Sequence, residues 1–353
     1  MSETSKQEIS EIKNSFVQQA NGDINIFGLG YKDVKDICHD VVRQELSIVT
    51  KEAVDTFRRE ISLFEEQFID RLENLENPQV VGKLATPKLQ FVLHDTIKEY
   101  AKNDDTNTKE ELVDLLIDRL KVEEHTTKQY LIDECIKVIP NLSINQTYFL
   151  GALTLRKIKY QGICYLVNTY LEKCAFLYKY MDITSNLDIQ YLILKNCCTD
   201  LGWGKQYNPI LDGMRTNYDL LFRHSITKET YDSFMHDHPN MNNIGIQIVL
   251  WNNGGNKLLY SSKDFLMQKS QVKGLQNHIS ELEQLINLYT PFSDDEIKHF
   301  VISLHPDWQK ALNCYDKEEV RHIDLTPLGT YIGRRIIKKL TNYDTLSLEA
   351  FYK

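Results

Sequence analysis

From position 32 to about 75, apolar side chains return every third or fourth residue: Val34, Ile37 and Val41, then Val54, Phe57, Ile61, Phe64 and Phe68. That spacing follows one face of an α-helix, and neither proline nor glycine interrupts it between Gly30 and Pro78. The opposite face carries Arg58, Arg59, Glu60, Glu65 and Asp70. A narrow stripe with steps of four and three suits a coiled-coil seam. The same stripe also suits a surface helix lying on the core of its own domain. Just upstream, NGDINIFGLGYKDVKDI at 21–37 begins by alternating like a strand, with Ile24 and Ile26 on one face and Asp23 and Asn25 on the other. A lone strand leaves its backbone donors and acceptors unpaired and is not stable by itself. It needs either a second copy of the chain or the hairpin pattern at 244–260. The first reading leads, and it makes Gly22, Asp23, Ile24, Asn25 and Ile26, with Phe57, Ile61, Phe64 and Phe68, the expected self-assembly surface.

Beyond 77 the pattern becomes a succession of shorter helices. Thr86 before Pro87 supplies an N-cap and a residue already fixed near helical φ. Thr108 with Glu111 reads as a capping box ahead of Leu112, Leu115, Leu116 and Leu120, and a further helix ends at Pro140. Ser143 with Gln146 opens LSINQTYFLGALTLRKI. The following GICYLVNTYLEKCAFLYKYM is apolar on more than one side, as a buried centre would be. Phe149, Leu150, Leu153, Tyr165, Leu166 and Leu171 are therefore expected in the core. Ser185 caps a helix that LGWGK ends. In IGIQIVLWNNGGNKLLY (244–260) the alternating Ile244, Ile246, Ile248 and Leu250 and the glycine pair predict a β-hairpin. Ser293 with Glu296 opens another helix. Near the end, RHIDLTPLGTYIGRRIIKKL predicts a short strand, Thr326 as N-cap, Pro327 as first helical residue, and Leu328, Tyr331, Ile332 and Ile336 inward. Gly329 and Gly333, four apart, leave a flat groove for a close neighbour. The fold expected is mainly α, with an N-terminal oligomerisation arm (1–77) and a helical body (78–353) carrying a small β-hairpin and a winged-helix-like C-terminal element.

Composition narrows the function classes. The 353 residues carry a formal net charge of −9, which argues against a dedicated nucleic-acid binder, whose phosphate contacts need a basic surface. Cys38, Cys135, Cys164, Cys174, Cys197, Cys198 and Cys314 form no metal-ligand spacing and read as free thiols in a reducing cytoplasm. The start, MSETSKQEIS, lacks the basic and apolar regions of a signal peptide, and YFLGALTL at 148–155 is too short to span a bilayer. No cofactor, no metal and no membrane are expected. His236 and His238 could offer two imidazoles to a metal, with His224 or a cysteine as a third ligand, but nothing in the spacing makes the ligands converge. Asp294, Asp295 and Glu296 occupy a first helical turn, where negative charge complements the macrodipole. Arg119 and His125 resemble the Arg-x(4–6)-His element of the HEPN ribonucleases, in which both side chains must share a cleft to activate a ribose hydroxyl. Leu120 stands where those enzymes usually place a small polar residue.

Three stretches, NGDINIFGLGYKDVKDI, LSINQTYFLGALTL and DLTPLGTYIG, together resemble an uncharacterised bacterial family whose members begin with a GDINI strand. The last two are distantly similar to the abortive-infection alpha family. The resemblance implies a bacterial origin and a place in antiphage defence, and it brings no catalytic residues. The functional expectation is a non-enzymatic interaction or sensor protein, homo-oligomeric, with a possible protein partner encoded nearby. The alternatives are a HEPN-like ribonuclease using Arg119 and His125, and a winged-helix DNA-binding regulator.

Overall fold

The computed structural model describes residues 35–40, 51–75, 78–158, 162–183, 185–244, 246, 248–250, 255–272 and 278–341. The strand expected at 22–26 lies outside them. The chain forms two compact units, which divide between Leu142 and Ser143. Both are built mainly of helices.

In the first unit, α1 (35–40) and α2 (Lys51–Glu73) precede a 3-10 run at Pro78–Ala85 and the helices α3 (Pro87–Lys102), α4 (Thr106–Lys121) and α5 (Thr127–Val138). Ile61, Phe64, Phe68 and Leu72 of α2 are buried, and α2 packs on α3 and α4 of the same chain. Phe64 stacks on Phe68 with ring centroids 5.5 Å apart and meets the edge of Tyr100 at 5.2 Å. The apolar stripe is thus occupied inside the chain, because α3 and α4 turn their own apolar faces (Leu89, Leu93 and Ile97; Leu112, Leu115 and Leu116) into the same core. Of the helical residues assigned to self-assembly, Ile61, Phe64 and Phe68 offer no free surface, and Phe57 is half-buried. The start of α4 also differs from the Thr108–Glu111 reading. Asp105 is the N-cap, its carboxylate accepting from the Thr108 N–H at 2.8 Å and the Thr108 hydroxyl at 2.7 Å. An ionised carboxylate is the stronger acceptor, so it takes the cap.

The second unit is centred on α6 (Ile144–Lys157), opened by the expected capping box of Ser143 and Gln146. A short α7 (Ile163–Tyr165) continues as a π-helical run, Leu166–Lys173, and then a 3-10 run, Ala175–Ile183. Next come α8 (Asn186–Leu194), β1 (Cys198–Asp200), α9 (Ile210–Asn217), α10 (Lys228–Asp237), β2 (Ile248–Leu250) and β3 (Asn256–Leu258). The chain continues through α11 (Lys263–Val272), α12 (Ile279–Asn287), α13 (Asp294–Leu304), α14 (Trp308–Tyr315), α15 (Glu318–Arg321), β4 (Ile323–Leu325) and α16 (Pro327–Thr341). Phe149, Leu150, Leu153, Leu166 and Leu171 are fully buried; the side chain of Tyr165 lies outside the description. The hairpin forms with β2 and β3 antiparallel, Ile248 opposite Leu258. The strand before α16 pairs with β1, Cys198 opposite Leu325, a partner the sequence pattern does not announce. Helix α16 lies along α6; Gly333 makes this approach possible, and Gly329 lets the helix start against the residue before β1. A Cβ at Gly329 would collide with the Cys197 carbonyl, and one at Gly333 with Thr154 and the Leu150 carbonyl. Among the described residues no helix is long and apolar enough to cross a membrane.

Candidate functional site

At the end of α4 the chain turns inward a residue that rarely goes there. Arg119 has 0% of its surface exposed. Its Nε donates to Asp133 Oδ1 of α5 at 2.7 Å, and its Nη2 donates to Glu124 Oε1 at 2.6 Å. Lys88 of α3 donates to the other oxygen of Glu124 at 2.8 Å. Gln129 links the cluster to the turn: its side-chain amide donates to Asp133 Oδ2, and its Oε1 accepts from the His125 N–H at 3.1 Å. Burial works to raise the Glu124 carboxyl, but hydrogen bonds from Lys88 and Arg119 outweigh it and hold it below the usual carboxylate range.

The local sequence explains the arrangement. Thr126 caps α5 by accepting from the Gln129 N–H at 3.1 Å, which sets Gln129 and Asp133 one turn apart on the face that meets Arg119. Lys83 donates to the carbonyls of Leu120 and Val122 at 2.9 and 3.2 Å, closing the end of α4. Between the helices His125 adopts φ 62°, the left-handed region that few non-glycine residues enter. Its side chain is exposed, and it joins the cluster through its backbone N–H.

Two aromatic side chains stand outside the network. Phe91, one turn from Lys88 on α3, is 72% exposed, and Tyr130 on α5 is 52% exposed. The Lys88 ammonium lies 5.7 Å from the centre of the Tyr130 ring. The surface is therefore a balanced ion network, two cations and two carboxylates, with aromatic groups beside it. Arg119 and His125 do lie in one region, but the guanidinium is committed to Glu124 and Asp133.

Other sequence candidates are dispersed. His236 is exposed on α10, and the His238 ring tilts over Phe234 with centroids 4.4 Å apart. His224 Nε2 meets Glu296 Oε1 at 3.3 Å. Among the described residues no group of three or more His, Cys, Asp or Glu side chains converges as a metal site would require. Cys197 is buried, and burial pushes its thiol up to about 12. Glu296 completes the capping box with Ser293 at the start of α13. In the second unit Arg156 stacks over Tyr207 at 3.6 Å, and Tyr207 donates to Asp324 at 2.8 Å. Lys157 pairs with Asp324 at 2.7 Å. These contacts pin the loop after β1 to β4 and leave Trp203 exposed between Gly202 and Gly204, whose φ angles are 78° and 75°.

Sequence reasoning missed Lys88, Phe91, Glu124, Gln129, Tyr130 and Asp133. The Gln129–Asp133 spacing was visible as a helical pair, whereas the approach of α3 to α5 had no local signature.

A family model whose description names no activity matches residues 28–352. No curated protein and no solved structure matches the chain. The chain belongs to that uncharacterised family.

Proposed function

We propose that this member of the family is a non-enzymatic interaction or sensor protein that engages a protein partner through the face of α3 and α5. The observation that carries the reading is the exposure of Phe91 and Tyr130 beside Lys88 and Glu124. Aromatic side chains are enriched in the buried centres of protein–protein interfaces. The resemblance of the LSINQTYFLGALTL and DLTPLGTYIG stretches to abortive-infection proteins supports a role in bacterial antiphage defence. Self-association through residues 22–26 belongs to the same proposal, as does a helical body ending in a winged-helix-like element. The ribonuclease reading asks Arg119 and His125 to present both side chains to one cleft, whereas Arg119 is wholly buried and the His125 side chain is exposed.

The test compares the wild-type chain with a Phe91→Ser/Tyr130→Ser double variant, using Trp203→Ser as a control. Cross-linking in the source cells, followed by mass spectrometry and light scattering, identifies what each protein retains. A stoichiometric partner held by the wild type and the control, and lost from the double variant, is the expected result. Equal retention by all three removes this face from the proposal. RNA cleavage by the purified chain that disappears in His125→Ala would restore the ribonuclease.

A further inference from the structure

The Glu124 carboxylate fills a position that suits a larger anion. It bridges a wholly buried guanidinium and a half-exposed ammonium, accepting from Arg119 Nη2 at 2.6 Å and from Lys88 Nζ at 2.8 Å. The two cations come from different helices, α4 and α3, and the carboxylate comes from the turn that follows α4. Nη1 and Nη2 form the paired end of the guanidinium, the edge that takes carboxylates and phosphates through two donors at once. Here Nη2 is engaged, while Nη1 is buried and meets no acceptor. A carboxylate has two oxygens, and Glu124 has used both. A group with three terminal oxygens carries one acceptor more than the carboxylate, enough to serve Nη1 besides Nη2 and the Lys88 ammonium.

His125, next to Glu124, keeps φ 62°, the left-handed region that few non-glycine residues enter, with its N–H donating to Gln129 and the Thr126 hydroxyl donating back to the Glu123 carbonyl. Releasing the Glu124 carboxylate to water leaves Arg119, Lys88 and Asp133, a net positive seat. Tyr130 lies against the Lys88 ammonium, and Phe91 is exposed one turn along α3 from Lys88.

We propose that Glu124 is an internal stand-in for a phosphate monoester on a partner polypeptide, which displaces it from Arg119 and Lys88 when the α3–α5 face is engaged. The inference rests on reading that face as a docking surface. A phosphorylated segment places its phosphate in the seat and its neighbouring apolar side chains against Phe91 and Tyr130. The net charge of −9 favours a polypeptide over a nucleic acid, whose many phosphates the whole molecule repels.

Inorganic phosphate and acetate are titrated against the full wild-type chain and Glu124→Gln, with binding followed by calorimetry. Glu124 lies on a surface turn, and Glu124→Ala serves as a second variant should the first fold poorly. Phosphate is expected to bind at least about tenfold more tightly once the carboxylate is removed, a difference of ~1.4 kcal/mol, with no comparable gain for acetate. Adding Lys88→Met to Glu124→Gln should cancel the gain. Equal phosphate affinity in wild type and Glu124→Gln overturns the inference, as does a gain that survives Lys88→Met. An equal gain for acetate assigns the seat to carboxylates and overturns the phosphate. A phosphoserine peptide and a 5′-phosphorylated oligonucleotide complete the set: preference for the peptide is expected, and preference for the oligonucleotide overturns the polypeptide partner. The Phe91→Ser/Tyr130→Ser variant separates this result from the docking surface itself, since it should keep the phosphate gain whether or not that surface recruits a partner.

Discussion

Arg119 and Lys257 are both buried cations, and they escape the cost of desolvation by different routes. A guanidinium stays charged at any ordinary pH, so Arg119 must be matched, and Asp133 and Glu124 match it. Lys257, on β3, is 1% exposed; its ammonium donates to the Leu221 carbonyl and lies 5.2 Å from the centre of the Phe292 ring. Burial lowers its amine to about 7, against roughly 10.4 in an unfolded chain. Between those two values the unfolded chain binds the extra proton, so this residue's contribution to stability rises with pH. Below about 7 both states are protonated and the full cost of the buried charge remains. Lys257→Met is therefore expected to stabilise the protein near pH 6 by roughly 1–4 kcal/mol. The advantage should shrink steadily and be gone by about pH 10. Denaturant unfolding at several pH values measures the difference, and a gap that does not change with pH would mean that the amine is charged throughout.

Helices α6 and α16 show what a linear pattern can and cannot convey about elements. The capping box at Ser143, the inward residues Leu328, Tyr331, Ile332 and Ile336, and the close approach signalled by Gly329 and Gly333 were all readable, because each depends on neighbours within a turn or two. The pairing of β1 with β4 was not, since 124 positions separate Thr199 from Asp324 and three-residue strands leave too little alternation to detect. The same limit hid the candidate site: Arg119 stood out as a residue, but its partners Asp133 and Glu124, and the Lys88 that shares Glu124, come from another helix, the turn after α4 and a third helix. The stripe on α2 was read correctly as apolar, whereas its destination inside the chain depended on the faces of α3 and α4. Gly333 gives the element-scale test. Gly333→Ala adds a methyl group where the Leu150 carbonyl and Thr154 already stand, so the helices must part, at a cost of about 1–3 kcal/mol. An alanine variant as stable as the wild type in denaturant titration would show that α16 and α6 are less closely opposed than described.

At the scale of the whole molecule, the division at Leu142 and Ser143 leaves each part with its own core. Phe64, Phe68, Tyr100, Leu112 and Leu116 belong to the first; Phe149, Leu150, Leu171, Tyr178 and Trp308 belong to the second. Units with separate apolar cores are able to fold as separate cooperative bodies. A chain spanning 143–353 is accordingly expected to fold alone, with helical circular dichroism and one sharp thermal transition. In the full chain the cores can be weakened one at a time. Phe64→Ala empties a buried ring position in the first unit and should cost about 3–5 kcal/mol, while Leu150→Ala in the second should cost about 2–5 kcal/mol. Each substitution should move one calorimetric transition and leave the other in place, with the 143–353 fragment reporting only the Leu150→Ala change. If both substitutions shift a single common transition in the full chain and the fragment fails to fold, the two cores act as one cooperative body. Binding at the α3–α5 face would then be coupled to the second unit through global stability. With independent transitions, a ligand that displaces Glu124 should raise the first unit's transition and leave the second unit's in place.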